Sequence, residues 1–126
     1  MNRKNNVKLD DIEIKVKIDD SITADKLWDS LPLESVGTLW GEEVFFRTDI
    51  SASLDNNSKL VVELGDVGYW PPNKAMCIFY GKTPASTDHE IRPASAVNVF
   101  GKVVDDIEKL KKVKEDCDIL VTKVVE

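Results

Sequence analysis

The sequence predicts an all-β protein built on a closed or nearly closed sheet. Many short stretches have the alternation or the apolar content of β-strands, and turn residues separate them. Only two short segments have a helical pattern, and the strand–helix–strand rhythm of a parallel sheet is missing. At 126 residues, with 42% hydrophobic and 32% charged residues, the chain has the length and composition of one globular domain with its own core.

Eight segments are predicted as strands, because each combines apolar or alternating side chains with turn residues at its ends. They are residues 12–18, 33–40, 43–50, 60–64, 67–70, 75–80, 97–103 and 119–125, with 51–54 as a weaker candidate. Residues 12–18 alternate between apolar and charged side chains, which is typical of a strand with one buried face. Residues 75–80 are apolar on both faces, which predicts a strand deep in a barrel or sandwich.

Two short helices and one long loop complete the predicted domain. Thr23 is the expected N-cap of a first helix, which ends before Pro32. Residues 106–113 are predicted as the second helix. Residues 81–96 are rich in proline, serine and threonine and are predicted to be irregular. A loop of that length in a compact domain is often functional or covers an opening.

The N-terminal residues, the net charge and the cysteines bear on where the protein works. Residues 1–10 are polar and basic, which predicts a flexible tail in front of a single domain over residues 11–126. They contain no apolar core of a secretory signal, and no stretch reaches the length of a membrane span, so we expect a cytoplasmic protein. The formal net charge of −6 disfavours nucleic acid as a partner. Cys77 lies in an apolar segment and Cys117 in a charged turn, and both are expected to stay reduced.

The sequence Trp70-Pro71-Pro72-Asn73 marks a corner between two predicted strands. Two consecutive prolines fix φ and remove two backbone donors, so the strand must end there. Asn73 tolerates the left-handed conformation that such a corner often needs. The sequence leaves open whether the Trp70–Pro71 bond is cis. The corner is interpreted either as a rigid hairpin tip or as the edge of an apolar pocket walled by Tyr69 and Trp70.

Four segments resemble the small prokaryotic cyclophilin-like proteins, a family of unknown function. They are residues 31–35 (LPLES), 40–46 (WGEEVFF), 65–84 (GDVGYWPPNKAMCIFYGKTP) and 92–101 (RPASAVNVFG). The resemblance extends from about residue 12 to the C-terminus and implies a cyclophilin-type barrel of about eight strands flanked by two short helices. The family tends to place glycine after Pro-Pro, where this chain has Asn73. Both residue types accept the left-handed backbone, so the implied fold is unchanged.

The resemblance raises the question of prolyl isomerase activity. The barrier to rotation about a peptide bond is about 18–20 kcal/mol, and an apolar pocket with a guanidinium near the prolyl nitrogen would lower it. True cyclophilins carry a Phe-His-Arg segment for this, followed by a glutamine and a glycine-rich stretch. Here Arg47 follows Phe46, but the histidine and the continuation are missing. Arg47 is therefore a weak catalytic candidate, and a solvated charge at a strand end is the alternative.

Two further groups of polar residues are candidates with structural alternatives. Arg92 in the long loop could meet a carboxylate or carbonyl at a pocket mouth, or it could pair with an acidic neighbour, Glu90 or Asp88. Glu42 and Glu43 are neighbours in a strand and point to opposite faces, so they cannot act as one acid/base pair, although one of them could line a pocket.

The remaining residues with chemical potential lack the surroundings that a catalytic or metal site needs. His89 is the only histidine, and no GxSxG elbow surrounds Ser86 or Ser95, the serines that could complete a triad with it. One histidine and two separated cysteines have no recognised ligand spacing, so we expect neither a metal nor a cofactor. Asn98, between two valines of a predicted strand, is expected to make a structural hydrogen bond.

The sequence therefore predicts a cyclophilin-like binding module that holds a small molecule or a peptide in an aromatic-walled pocket. The predicted ligand-binding residues are Trp40, Glu43, Tyr69, Trp70, Phe79 and Arg92. The aromatic rings would supply apolar contact, and Arg92 or Glu43 would orient a polar end of the ligand. Two alternatives stay open: a weak or degenerate prolyl isomerase, and a subunit that docks another protein on its exposed face. Neither a nucleic acid nor a membrane is expected as a partner.

Overall fold

The computed structural model describes residues 3–124 and folds them into one antiparallel sheet with three short helices. The strands are β1 (Arg3–Leu9), β2 (Ile12–Ile18), β3 (Leu33–Val36), β4 (Thr38–Leu39), β5 (Glu43–Arg47), β6 (Ser58–Lys59), β7 (Asp66–Trp70), β8 (Ala75–Phe79), β9 (Val97–Val103) and β10 (Asp118–Lys123). The helices are α1 (Ile22–Ser30) and two 3₁₀ helices, η1 (Pro71–Asn73) and η2 (Ile107–Lys112). The predicted all-β class is confirmed. None of the helices within residues 3–124 has the length and apolar character needed to cross a membrane.

The sheet closes into a barrel at a single glycine. Nine strands follow one another in the order β3-β10-β1-β2-β9-β7-β8-β5-β4, and β6 pairs only with β9. The two end strands, β3 and β4, are consecutive in the chain and are separated only by Gly37, so one bent segment pairs with β10 and then with β5. A Cβ atom at Gly37 would lie 2.5 Å from Sγ of Cys117, and glycine is needed at this close approach. The strand count implied by the resemblance is thus corrected from about eight to nine.

Two apolar layers lie on opposite faces of the same strands. Successive side chains of a strand alternate between the faces, so in β5 Val44 and Phe46 point into the barrel while Glu43 and Phe45 point outward. The interior layer is filled by aliphatic and aromatic side chains from all sides of the barrel. The buried members of the outer layer are Val62, Ala75, Cys77, Phe79 and Val97. The fold therefore has a closed core inside the barrel and a second apolar surface outside it.

Two predicted capping positions shift by one or two residues. Oγ of Ser21 accepts a hydrogen bond from the third residue of α1, so Ser21 is the N-cap instead of Thr23. After the two prolines, Lys74 takes the left-handed conformation with φ 50° and ψ 40°, while Asn73 remains in η1. The Trp70–Pro71 bond is trans. The corner thus has the predicted shape with a different residue at its left-handed position.

Three segments differ from their predicted structure. Residues 3–9, predicted as part of a flexible tail, form strand β1 between β2 and β10, while residues 1–2 lie outside the described range. Residues 51–54 and 60–64 are not strands, because most of their side chains are exposed and only Val62 makes a β-bridge, with Ile91. The end of the last predicted strand at residue 125 also lies outside the described range. Cys117, predicted in a charged turn, is buried and contributes to the interior layer.

Candidate functional site

A cavity of about 230 Å³ lies on the outer face of the barrel, between the sheet and the long loop 81–96. The sheet contributes outward-facing residues of β5, β7, β8 and β9, and the loop contributes two residues. The lining residues are Trp40, Glu43, Phe45, Trp70, Cys77, Pro93, Ala94 and Val97. Because the barrel interior is packed with side chains, the cavity is a pocket between sheet and loop instead of a barrel lumen.

A tight turn between β4 and β5 holds Trp40 and Glu43 on the cavity. The backbone N of Trp40 donates to the carbonyl of Glu43 at 2.9 Å, and the N of Glu43 donates back at 3.2 Å. Gly41 has a φ of 60°, and a Cβ there would lie 2.8 Å from the carbonyl oxygen of Lys82. The turn therefore needs glycine for its backbone conformation and for its contact with the long loop. Glu42 points the other way, with an oxygen 4.0 Å from Nζ of Lys111.

Aromatic rings on neighbouring strands form the walls. The rings of Phe45 and Trp70 meet edge to face, with their centroids 6.4 Å apart and their planes at 71°. Nε1 of Trp70 donates to Oγ of Ser95 at 2.6 Å, which ties the indole to the long loop. Gly68 allows the side chain of Val97 to pack closely on β7 beside Trp70, since a Cβ at Gly68 would lie 2.9 Å from that side chain. The walls are thus held both by the strands and by the loop.

A hydrogen-bond network fixes the loop that covers the cavity. Oγ1 of Thr83 donates to the carbonyl of Arg92, and Oγ of Ser86 accepts from the backbone N atoms of Thr83 and Arg92 at 2.9 and 3.1 Å. The backbone N of Val62 donates to the carbonyl of Ile91 at 2.9 Å, which joins the loop to the preceding segment. Pro93 and Ala94 follow Arg92 in the sequence, so the network holds them on the cavity.

Among the described residues that line the cavity, Glu43 is the one charged side chain, and it is only 5% exposed. Its Oε1 atom has no hydrogen-bond partner among residues 3–124. Burial raises the pKa of Glu43 to about 7, and the nearby thiol of Cys77 partly opposes this rise. The pKa of Cys77 is itself raised well above its ordinary value, by burial and by the carboxyl of Glu43. At neutral pH, Glu43 can therefore accept or release a proton, while Cys77 stays a neutral thiol.

Three of the six predicted ligand-binding residues lie together on the cavity: Trp40, Glu43 and Trp70. Tyr69 does not, because adjacent strand residues face opposite sides, and its hydroxyl donates to a backbone carbonyl inside the barrel at 2.8 Å. Phe79 is fully buried in the outer apolar layer without lining the cavity. The binding role of all these residues stays a prediction.

The two arginines singled out by the sequence lie away from the cavity lining. The guanidinium of Arg92 donates from NH2 to Oε1 of Glu90 at 2.7 Å, and both side chains are 40% exposed. This is the ion pair that the sequence left as an alternative. Arg47 is exposed at the end of β5. Pro93 and Ala94, which follow Arg92 in the loop, line the cavity, and Arg92 does not.

Sequence reasoning missed five lining residues: Phe45, Cys77, Pro93, Ala94 and Val97. The alternation of side chains along a strand predicts Phe45, because Phe45 lies two residues after Glu43 and so shares its strand face. The same register places Cys77 opposite Phe45 on the neighbouring strand. Pro93 and Ala94 carry no such signal, since the path of an irregular loop follows from tertiary contacts.

The other polar residues that the sequence singles out lie outside the cavity lining. Asn98 is buried, and its amide donates to Oγ1 of Thr23 at 3.2 Å and to the carbonyl of Ser53 at 2.8 Å, while it accepts from the N of Asp55 at 3.0 Å. The predicted structural hydrogen bond of Asn98 is confirmed. His89 is exposed in the long loop. Among the residues described, no three side chains of the metal-ligating types cluster.

Comparisons with known proteins agree with the fold. The cyclophilin-like family matches residues 3–122. The hypothetical protein AF2241 from Archaeoglobus fulgidus, known from its solution structure, is 38% identical, with a TM-score of 0.82 over 98% of this chain and 95% of that protein. McbB, solved in complex with tryptophan, is 13% identical, with a TM-score of 0.74 over 97% of this chain. This chain spans only 45% of McbB.

No curated protein sequence matches the chain. The family match nevertheless begins at Arg3, the first residue of β1, and ends within β10, so it includes every strand of the barrel. Because the family and an archaeal relative both match nearly the whole chain, this protein belongs to the cyclophilin-like family.

Proposed function

We propose that this protein binds a small molecule, or one side chain of a peptide, in the cavity on the outer face of its barrel. The observation that carries the proposal is the convergence of three aromatic side chains and one buried carboxyl on a single apolar cavity. Ligand sites typically combine apolar walls with a small number of polar groups. A volume of about 230 Å³ suits a ring or a short branched group better than a large cofactor.

The walls and the carboxyl have separate tasks in this proposal. Trp40, Phe45 and Trp70 contact the apolar body of the ligand. Glu43 holds a polar group of the ligand, because its buried oxygen lacks a hydrogen-bond partner among the described residues. A buried polar atom without a partner destabilises a fold, and a ligand that supplies the missing partner gains that free energy on binding.

The three tryptophans make binding directly observable. Trp40 and Trp70 line the cavity, whereas Trp28 lies elsewhere, with the cationic groups of Arg3 and Lys123 close to its ring. A panel of aromatic, amide, amine and carboxylate fragments, with tryptophan among them because McbB was solved with it, is titrated into the protein. We expect the indole N–H resonances of Trp40 and Trp70 to shift in a saturable way while Trp28 stays in place.

Paired variants decide whether the shifts come from the cavity. Trp70→Leu removes one wall and should weaken binding about tenfold or more, while Trp28→Leu should leave binding unchanged. If no fragment of any class shifts Trp40 or Trp70 at millimolar concentration, the proposed function is wrong. If Trp28→Leu weakens binding as much as Trp70→Leu, the ligand binds elsewhere.

Prolyl isomerase activity has less support than binding. The mechanism expected for it requires a guanidinium beside the prolyl ring, and no arginine or lysine is among the described residues that line the cavity. Arg47 and Arg92 lie outside that lining. The isomerase and the interaction-subunit alternatives stay predictions.

A further inference from the structure

We propose that the ligand of this cavity carries an organic ammonium group, held against the aromatic walls with Glu43 as its counter-ion. This inference rests on the proposed function, because it names the class of ligand for the same cavity. It follows from the charge of the lining, from the arrangement of the rings and from the position of the carboxyl.

The charges on the cavity have one sign. Glu43 is the only acidic or basic residue among the eight lining residues, and Cys77 is the only other titratable group. A ligand with a carboxylate or phosphate would face Glu43 without any cation in the lining to offset the repulsion. The net charge of −6 also attracts cations to the protein and repels anions at long range.

The rings offer the surfaces that an ammonium group prefers. The face of an aromatic ring carries negative electrostatic potential, and cations bind over it most strongly where water is excluded. Phe45 and Trp70 line the cavity as an edge-to-face pair with their planes at 71°, and Trp40 adds a third ring from the turn before β5. Several rings around one small space form the kind of cage that binds quaternary ammonium ions.

The buried carboxyl completes the site, because one of its oxygens has no hydrogen-bond partner and no cation among the described lining residues offsets its charge. Oε1 of Glu43 accepts no hydrogen bond from the described residues. The carboxyl of Glu42, one residue earlier, is instead within 4.0 Å of the ammonium of Lys111. Lys111 supplies a positive charge near the carboxyl of Glu42, and an ammonium ligand would supply one near the carboxyl of Glu43.

A neutral hydrogen-bonding ligand is the competing class, and pH separates the two. Burial raises the pKa of Glu43 to about 7, so both protonation states are accessible near neutral pH. A cation prefers the ionised carboxylate and should bind more tightly as the pH rises from 6 to 8, with release of a proton. A neutral ligand that accepts a hydrogen bond prefers the protonated carboxyl and should bind less tightly over the same range. Cys77 stays a thiol throughout, since its pKa is raised well above its ordinary value.

The deciding experiment compares a cation with an uncharged molecule of the same shape. Choline and dimethylbutanol, in which a carbon replaces the ammonium nitrogen, are titrated while the indole resonances of Trp40 and Trp70 are followed. At pH 8 we expect choline to bind at least about tenfold more tightly than dimethylbutanol. The affinity for choline should fall as the pH is lowered toward 6. Equal or tighter binding of dimethylbutanol would overturn the cation inference and leave the proposed function intact.

Two single-charge variants provide the matched control. Glu43→Gln keeps the shape of the side chain and should reduce the preference for choline over dimethylbutanol, while Glu42→Gln changes the net charge equally and should keep it. Trp70→Leu, which retains Glu43, should reduce choline binding about tenfold and serves if Glu43→Gln does not fold. An unchanged preference in Glu43→Gln overturns the inference. If neither compound binds, the inference is also overturned, and the fragment panel then decides the proposed function separately.

Discussion

The two faces of the barrel wall differ in how completely they are filled and paired. On the inner face of the strands around β7, the hydroxyl of Tyr69 donates to a backbone carbonyl, and the amide of Asn98 makes three hydrogen bonds. On the outer face of the neighbouring strands, a cavity of about 230 Å³ remains, and Glu43 is buried with an unpaired oxygen. Around β7 the inner face thus meets the ordinary requirements of a stable core, whereas the outer face departs from them at the cavity. Departures of this kind concentrate where proteins bind ligands.

The largest expected effect compares two adjacent phenylalanines on opposite faces of β5. Phe46 is 1% exposed inside the barrel, and Phe46→Ala should cost about 3–5 kcal/mol of the free energy of unfolding because it leaves a void in a packed core. Phe45 is half-buried beside an existing cavity, so Phe45→Ala should cost only about 1–2 kcal/mol. Urea unfolding measures both values. Equal losses would show that the outer face is as important to stability as the core.

The next effect concerns the buried carboxyl on the outer face and its dependence on pH. The pKa of Glu43 is raised from 4.5 to about 7, so the folded protein holds a proton that the unfolded chain releases between these pH values. Stability from this group is therefore fully present below pH 4.5 and is lost as the pH rises through 7. The loss approaches about 3 kcal/mol above pH 8, if the charge stays as buried as the neutral form.

Glu43→Gln isolates this contribution, because glutamine resembles the protonated acid and does not titrate. Relative to wild type, the variant should become more stable as the pH is raised from 5 to 8.5, and Glu42→Gln should show little such trend at its half-exposed position. Urea unfolding at the two pH values gives the difference. If the free energies of unfolding of wild type and Glu43→Gln differ by the same amount at both pH values, the carboxyl is solvated. The outer face then holds no buried charge.

The contrast between the faces also explains what could be predicted from the sequence. The alternation of residues 12–18 and the apolar run of 75–80 are local patterns, and they predicted β2 and β8. Trp40, Glu43 and Trp70 lie beside a turn or a corner that sequence chemistry identifies, and they do share the cavity. These features are encoded within a few residues of one another, which is why single-sequence reasoning reaches them.

The features that were missed depend on contacts distant in sequence. Tyr69 is predicted to share the pocket with Trp70, but adjacent strand residues face opposite sides, and Tyr69 points into the barrel. Arg92 is predicted at the pocket mouth, but its guanidinium pairs with Glu90. The path of its loop depends on hydrogen bonds of Thr83 and Ser86, which no local pattern reveals. The prediction of a flexible tail rests on the polar and basic composition of residues 1–10 and is wrong for β1, which has polar residues at two of its inward positions. One of those two residues, Arg3, binds the carbonyl of Asp19 and the carboxylate of Asp25.

The smallest expected effect tests the other inward polar residue of β1, which departs from the pattern of the inner face. Asn5 is fully buried, and neither Oδ1 nor Nδ2 has a partner among the residues described. Asn5→Leu replaces this amide with an apolar group of similar size and should raise the free energy of unfolding by about 1 kcal/mol. The same change at Asn98 should lower it, because three partners of that amide would lose their hydrogen bonds. Urea unfolding of both variants shows whether each change raises or lowers the free energy of unfolding. Destabilisation by Asn5→Leu would mean that ordered water satisfies the amide, and the polar side chain of Asn5 would then be no exception to the pairing of the inner face around β7.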